Sequence, residues 1–218
     1  MIHNLSHTNS LTQQFVAELR DVTIQKDRLR FRRNIERIGE IAAYEISKKL
    51  TWEDYEVTTP LGVALCRRLK EQPILATILR AGLPLHQGLL NYFDQADNAF
   101  IAAYRKHDAT DGESFTINME YITSPPLKGS VLILADPMLA TGQSIVETLR
   151  KLYVLGKPSH THIVTAIASS EGIAFVRQHL TNITIWAGAI DEELTAKSYI
   201  VPGLGDAGDL CFGEKTQF

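Results

Sequence analysis

Cysteine is scarce: Cys66 and Cys211 are the only two in 218 residues. They have no metal-type spacing and can build no disulfide framework, so reduced thiols in a cytosolic protein are the simplest reading. An excess of one charge is also missing. There are 22 Lys and Arg against 25 Asp and Glu, a formal net charge of −3, whereas a dedicated nucleic-acid binder is more basic. No apolar run approaches the ~20 residues of a membrane span. The first residues, MIHNLSHTNS, are polar and lack the apolar stretch of a signal peptide. Repeats and low-complexity tracts are absent too. The expectation is a cytoplasmic protein with no membrane and no nucleic-acid partner.

What is present is apolar material in a regular order. Hydrophobic residues make up 44% of the chain, enough for one well-packed domain over residues 1–218. A helical N-terminal segment spans about 12–50, where Ile35, Ile38, Ala42 and Ile46 mark one face of a helix over 27–49. Short β-branched runs then alternate with helical patterns. The runs at 73–79, 98–105, 130–136, 161–169 and 183–190 read as strands, and the stretches after Gly82, from 144 to 156 and from 171 to 180 read as helices. Strands apolar along their whole length, separated by helices, indicate an α/β fold with a parallel sheet flanked by helices. Ligands of such sheets bind beyond the carboxyl ends of the strands, here after Leu79, Ala103 and Ala135. The tail from about 191 to 218 has no period, is rich in Gly and reads as loop.

The stretch DPMLATGQS, residues 136–144, has the chemistry of an anion cradle. A strand delivers Asp136, and Pro137, lacking an N–H, stops the ladder. Ala140 and Gly142 are small enough for backbone amides to approach a phosphate. The next helix starts near Gln143 and Ser144 with its positive dipole end at the loop. Thr141 and Ser144 add hydroxyl donors, and Asp136 suits ribose hydroxyls or a magnesium ion they share. An ordinary strand-to-helix turn with a Thr or Ser cap would also fit these residues. A P-loop would not, because no Lys follows the second Gly. Arg80, in LRAGL after a buried strand, would be costly to bury without an anion, and its fork matches a pyrophosphate; an exposed Arg at a strand end is the plainer alternative. The polar stretch 103–115 reads as a solvated, mobile loop, Lys106, His107 and Asp108 included. Residues 26–33, KDRLRFRR, hold five basic residues in eight, either an RNA contact or, as preferred here, a solvated helix face.

LILADPMLATGQS resembles the phosphoribosyl pyrophosphate signature of the phosphoribosyltransferases, and its Asp-Pro-Met-Leu-Ala-Thr-Gly form resembles the uracil phosphoribosyltransferases. ILRAGLPLHQGLL resembles that family's pyrophosphate loop, and YIVPGLGDAGD its uracil-binding tail. The resemblance runs in order from about residue 12 to the C-terminus. It implies a type I phosphoribosyltransferase-like fold with a C-terminal base-binding hood, transfer of phosphoribosyl to N1 of uracil giving UMP, magnesium held through the donor, and a homodimer or higher homo-oligomer. By the same resemblance, Asp136, Pro137, Met138, Leu139, Ala140, Thr141, Gly142, Gln143 and Ser144 bind the donor, with Arg80, Arg105 and Asp206. Arg105 would reach the pyrophosphate from a closing loop. Ile200, Gly205, Asp206 and Ala207 line the uracil, with Arg80, Arg105 and Asp206 as the catalytic set. Some relatives take a guanine nucleotide effector (GTP) or anions on basic surfaces. Another base, or an RNA-binding regulator on the same fold, are the competing functions. Two positions depart from the family pattern: Gln143 replaces a usual Gly, and Leu210 a usual Lys or Arg.

Overall fold

The computed structural model describes residues 1–107 and 115–214, with backbone alone for 103–107 and 115–120. In chain order the elements are β1 (Ile2–Asn4), α1 (Leu11–Arg20), α2 (Arg28–Ser47), β2 (Trp52–Thr59), β3 (Gly62–Leu69), β4 (Ile74–Leu79), α3 (Leu83–Leu90), β5 (Asn98–His107), β6 (Phe115–Thr123), β7 (Val131–Ala135), β8 (Met138–Leu139), α4 (Gln143–Leu152), β9 (His160–Ser169), α5 (Ser170–His179), β10 (Ile183–Asp191), β11 (Glu193–Leu194), β12 (Ile200–Val201) and α6 (Ala207–Phe212). The main sheet runs β1-β10-β9-β7-β4-β5-β6, with β8 pairing β9 beside this path. Every pairing in it is parallel except β5 with β6.

The alternating side chains of the strands build two cores. On one face Leu75, Ile133, Val164 and Trp186 meet Phe31, Ile35 and Ile38 of α2 and Leu85 and Leu89 of α3. On the other, Ile74, Leu132, Leu134, Ile163 and Ile185 meet Ile145 and Leu149 of α4 and Val176 of α5. Coverage on both faces is why β4, β7 and β9 read as unbroken apolar runs. The alternation of neighbours between the two cores is the period of 2 that a strand imposes.

Several features differ from the sequence reading. The polar N-terminus contains β1, whose Ile2 and His3 pair with Ile185 and Trp186. Residues 52–69 form an antiparallel hairpin, β2 with β3, outside the main sheet, and its Leu61, Val63 and Leu65 are exposed. Residues 106 and 107, read as loop beyond the 98–105 strand, continue β5, because Ala103 to His107 pair antiparallel with Met119 to Phe115. The loop residues 108–114, Asp108 among them, lie outside the described residues. The tail is not loop throughout. Asp206 caps α6 by accepting from the Asp209 amide at 3.1 Å, and β11 pairs with β12. A helix of six residues is too short to show a 3.6-residue period.

Candidate active site

The loops that leave β4 and β7 sit side by side at the carboxyl edge of the sheet. Gly82 is the joint. A Cβ there would lie 2.2 Å from Thr77 Oγ1 and 2.8 Å from the Ala135 carbonyl, so only glycine lets the β4–α3 loop lie against the end of β7. Its smallness thus serves packing between the two loops.

Past Ala135 the strand is interrupted rather than ended. The Asp136 amide donates to Val164 O at 3.1 Å, and the Pro137 carbonyl accepts from Ala166 and Ile167 at 3.1 and 3.0 Å. Pairing then resumes as β8, Met138 with Ile167 and Leu139 with Ala168. Pro137 costs the ladder one donor but its carbonyl binds twice, so the expectation that it stops the ladder is corrected. Asp136 is half-buried, and its Oδ1 accepts from the Met138 amide at 3.4 Å.

The turn into α4 is made by Gly142 at φ +81°, with no side-chain cap on the helix. The Thr141 hydroxyl accepts weakly from the Gln143 amide at 3.5 Å. The first-turn amides of α4 are therefore available to an anion at the positive end of the helix. Ala140 is fixed from behind, because its carbonyl accepts from Ser169 Oγ at 2.5 Å and packs on Gly172. Gln143 is exposed and Ser144 half-buried.

Arg80 is exposed, so the cost of burying it does not arise. It instead holds the tail: Nη2 donates to Asp209 Oδ1 at 3.2 Å and to Gly213 O at 3.4 Å. Gly208 lies in the same corner, where a Cβ would come 3.1 Å from Asp206 Oδ1 and 3.8 Å from Arg80 Nη2. The structure thus brings together Arg80 and Asp206. Arg105 is on β5 opposite Ile117 rather than in a loop; its side chain lies outside the described residues.

The tail is rooted in the first core. Ile200, Leu204, Ala207 and Cys211 are buried there, while Gly205, at φ +95°, is exposed. Burial pushes the Cys211 thiol up to about 12, so it stays protonated and offers no nucleophile. Gly205, Asp206, Asp209 and Leu210 line one side of a cavity of about 370 Å³, with Gln25, Lys26 and Arg28 across it. Among the described residues the cations at this cavity come from Lys26 and Arg28, and position 210 supplies none.

The rest of the basic run has partners within the fold. Arg30 grips Glu18 with two bonds at 2.9 and 2.8 Å, Arg32 donates to Cys211 O at 2.7 Å, and Arg33 pairs with Glu36 at 2.8 Å. Hydrogen bonds from Arg30 and Asn34 hold the Glu18 carboxyl down at about 2.

With this geometry in view, comparison with known proteins is decisive. The family profile described as uracil phosphoribosyltransferase matches residues 6–214. The chain belongs to the uracil phosphoribosyltransferase family. A uracil phosphoribosyltransferase of Porphyromonas gingivalis is 55% identical over 216 residues, 99% of both chains. One from Methanothermobacter thermautotrophicus is 39% identical over 85% of each. Among solved structures, the AQ2163 protein from Aquifex aeolicus superposes with a TM-score of 0.85 at 32% identity, covering 98% of both chains. A hypoxanthine phosphoribosyltransferase from Staphylococcus aureus shares the fold alone, at a TM-score of 0.50 and 14% identity over 86% of this chain and 84% of that one.

Reading the sequence missed Asp209, the partner of Arg80, and the pair Arg20–Asp191 that fastens the tail. A signal for Asp191 existed. ITIWAGAID repeats the pattern of VLILAD, an apolar strand delivering an acid at its carboxyl end.

Proposed function

We propose that the chain transfers the 5-phosphoribosyl group of phosphoribosyl pyrophosphate to N1 of uracil, giving UMP and pyrophosphate. One observation carries the reading: the β4–α3 loop, the 136–144 loop and the 200–213 tail meet at one edge of the sheet, joined by the Gly82 contact with Ala135 and the Arg80–Asp209 pair. Membership of the family supports it.

In this reading the α4 amides with Thr141 and Ser144 hold the 5′-phosphate, a remote grip that fixes the sugar without touching the reacting carbon. Pro137, Met138, Leu139, Ala140, Gly142 and Gln143 shape that cradle, and Asp136 faces the ribose hydroxyls. Arg80 and Arg105 bind the pyrophosphate, with Asp206 beside the ribosyl donor. The C1′–oxygen bond to pyrophosphate breaks as the C1′–N1 bond forms, and N1 gives up its proton. Positive charge develops at C1′ and negative charge on the leaving group, so catalysis comes from positioning and from cations at the pyrophosphate. Arg80 must release Asp209 to serve there. Ile200, Gly205 and Ala207 frame the base, whose edge is read by backbone groups.

Magnesium fits as a companion of the donor. Among the described residues no three His, Cys, Asp or Glu side chains converge on one point, whereas Asp136 offers a carboxylate where hydroxyls and phosphate oxygens would supply the remaining hard ligands. When bound, the ion neutralises charge on the departing pyrophosphate. A guanine nucleotide effector and a cytoplasmic setting belong to the same reading. So does a homo-oligomer, which the exposed Leu61, Val63 and Leu65 of the hairpin support; light scattering of the purified protein tests it. For the activity, labelled uracil with phosphoribosyl pyrophosphate and magnesium should give UMP and pyrophosphate in equal amounts. No UMP from well-folded protein would refute the reading.

A further inference from the structure

We propose that Arg20 and Asp191 are positioning residues for base recognition, a clamp that sets the backbone of the tail from outside the site. This rests on the base-binding role proposed for residues 200–207.

Arg20 is the last residue of α1, and Asp191 ends β10. The two form a forked pair: Arg20 Nη1 donates to Asp191 Oδ2 at 2.8 Å, and Nη2 to Oδ1 at 2.7 Å. The pair also binds both backbone groups of Gly203. Arg20 Nη1 donates to the Gly203 carbonyl at 2.9 Å, and the Gly203 amide donates to Asp191 Oδ2 at 3.0 Å. The carboxylate thus ties together residues twelve positions apart in the chain. Side-chain exposure is 7% for Asp191 and 23% for Arg20, so water competes little for these bonds.

Gly203 is the residue where such a clamp has most leverage. It lies at φ +53°, and a Cβ would stand 2.1 Å from the Ile200 carbonyl. Its two peptide planes are therefore fixed by packing on one side and by the ion pair on the other. Two residues later Gly205 presents exposed backbone at φ +95°, and no side chain there can correct an error in direction. Backbone groups that read a base edge need their carbonyl and amide aimed within tenths of an ångström. Arg20 and Asp191 supply that aim without touching substrate. A guanidinium suits the task because its rigid fork serves two acceptors at once, which an ammonium cannot do with the same geometry.

The test uses Arg20→Lys and Asp191→Asn in the full-length protein, with Arg20→Ala as the severe case. Expected is a rise of about ten- to a hundredfold in KM for uracil, with KM for phosphoribosyl pyrophosphate and the affinity for inorganic pyrophosphate within threefold of the parent. Uracil-over-cytosine selectivity should fall in parallel. Hydrogen exchange at the Leu204, Gly205 and Ala207 amides should quicken, while the buried β7 and β9 amides stay protected. Arg20→Lys, which keeps the charge, should lie between the parent and Arg20→Ala; if Arg20→Ala does not fold, Arg20→Lys and Asp191→Asn carry the comparison alone. Uracil KM unchanged within twofold in those two variants, or donor and uracil KM rising together, would overturn the clamp. A parent protein that makes no UMP would refute the base-transfer reading instead, and amide exchange in the tail reads the clamp without turnover.

Discussion

Gly142 and Thr141 show how one loop carries two separate demands. Gly142 lies at φ +81°, and a Cβ would stand 2.8 Å from Gly172 O and 2.9 Å from a Val176 methyl. Gly142→Ala therefore combines left-handed backbone strain with a clash and should cost about 2 kcal/mol of stability, read as a lower urea midpoint at unchanged m. Thr141 is different: half-buried, it makes one weak bond to the Gln143 amide. Thr141→Ile should leave the melting temperature nearly unchanged and raise the donor KM by about tenfold or more, because a branched apolar chain displaces a hydroxyl donor from the cradle. A folded Thr141→Ile protein with parent donor affinity would remove the phosphate role from this loop. The strand-to-helix turn at Thr141 and Gly142 was legible in the sequence, since Thr-Gly at such a junction has a local cause. Asp209 was not, because its partner Arg80 is 129 positions away and nothing in the spacing joins them.

At the scale of elements, strands announced themselves wherever the sheet is covered on both faces. β4, β7, β9 and β10 were read within a residue or two because both cores demand apolar side chains there. β1 was hidden, being three residues long with a polar His3 inside it. His3 packs flat on Trp186, ring centroids 4.0 Å apart, and Trp186 Nε1 donates to His162 Nδ1 at 3.1 Å. Burial, with smaller effects of His160 and His3, pushes the His162 imidazole down to about 3, and burial lowers His160 and His3 as well. The folded value lies below the unfolded 6.5, so this stability is complete above about pH 6.5 and is lost as pH falls toward 3. For His162 alone the loss between pH 7 and pH 5 should be about 2 kcal/mol. Glu18 adds nothing over that interval, since its contribution fades only below its usual 4.5. Urea unfolding at both pH values tests this; His162→Asn should flatten the dependence, and equal stability of the parent at pH 7 and pH 5 would contradict it.

For the whole molecule, the proposed reaction draws on chain segments far apart in sequence: α1 at Arg20, the β4–α3 loop at Arg80, the 136–144 loop, and a tail that returns from β10. The two loops and the tail were visible alone as motifs, but Arg20 and the neighbours of each came only with the fold. That the N-terminal helices support the tail, through Arg20 at Gly203 and Arg32 at Cys211, had no local signature. A base read by backbone groups of such a braced tail has a sharp consequence. At N3 uracil donates where cytosine accepts, and at position 4 uracil accepts where cytosine donates. Backbone groups cannot rotate to suit both. Each buried polar group left unpaired costs ~1–3 kcal/mol, so two mismatches give on the order of 10²–10⁴ in discrimination. Fluorine at position 5 leaves the reading edge unchanged. The most direct measurement is a competition panel of uracil, 5-fluorouracil, cytosine, hypoxanthine and orotate at equal concentration with phosphoribosyl pyrophosphate and magnesium. Uracil and 5-fluorouracil should be converted and the other three left behind; turnover of cytosine or hypoxanthine comparable to uracil would contradict both the pocket and the substrate.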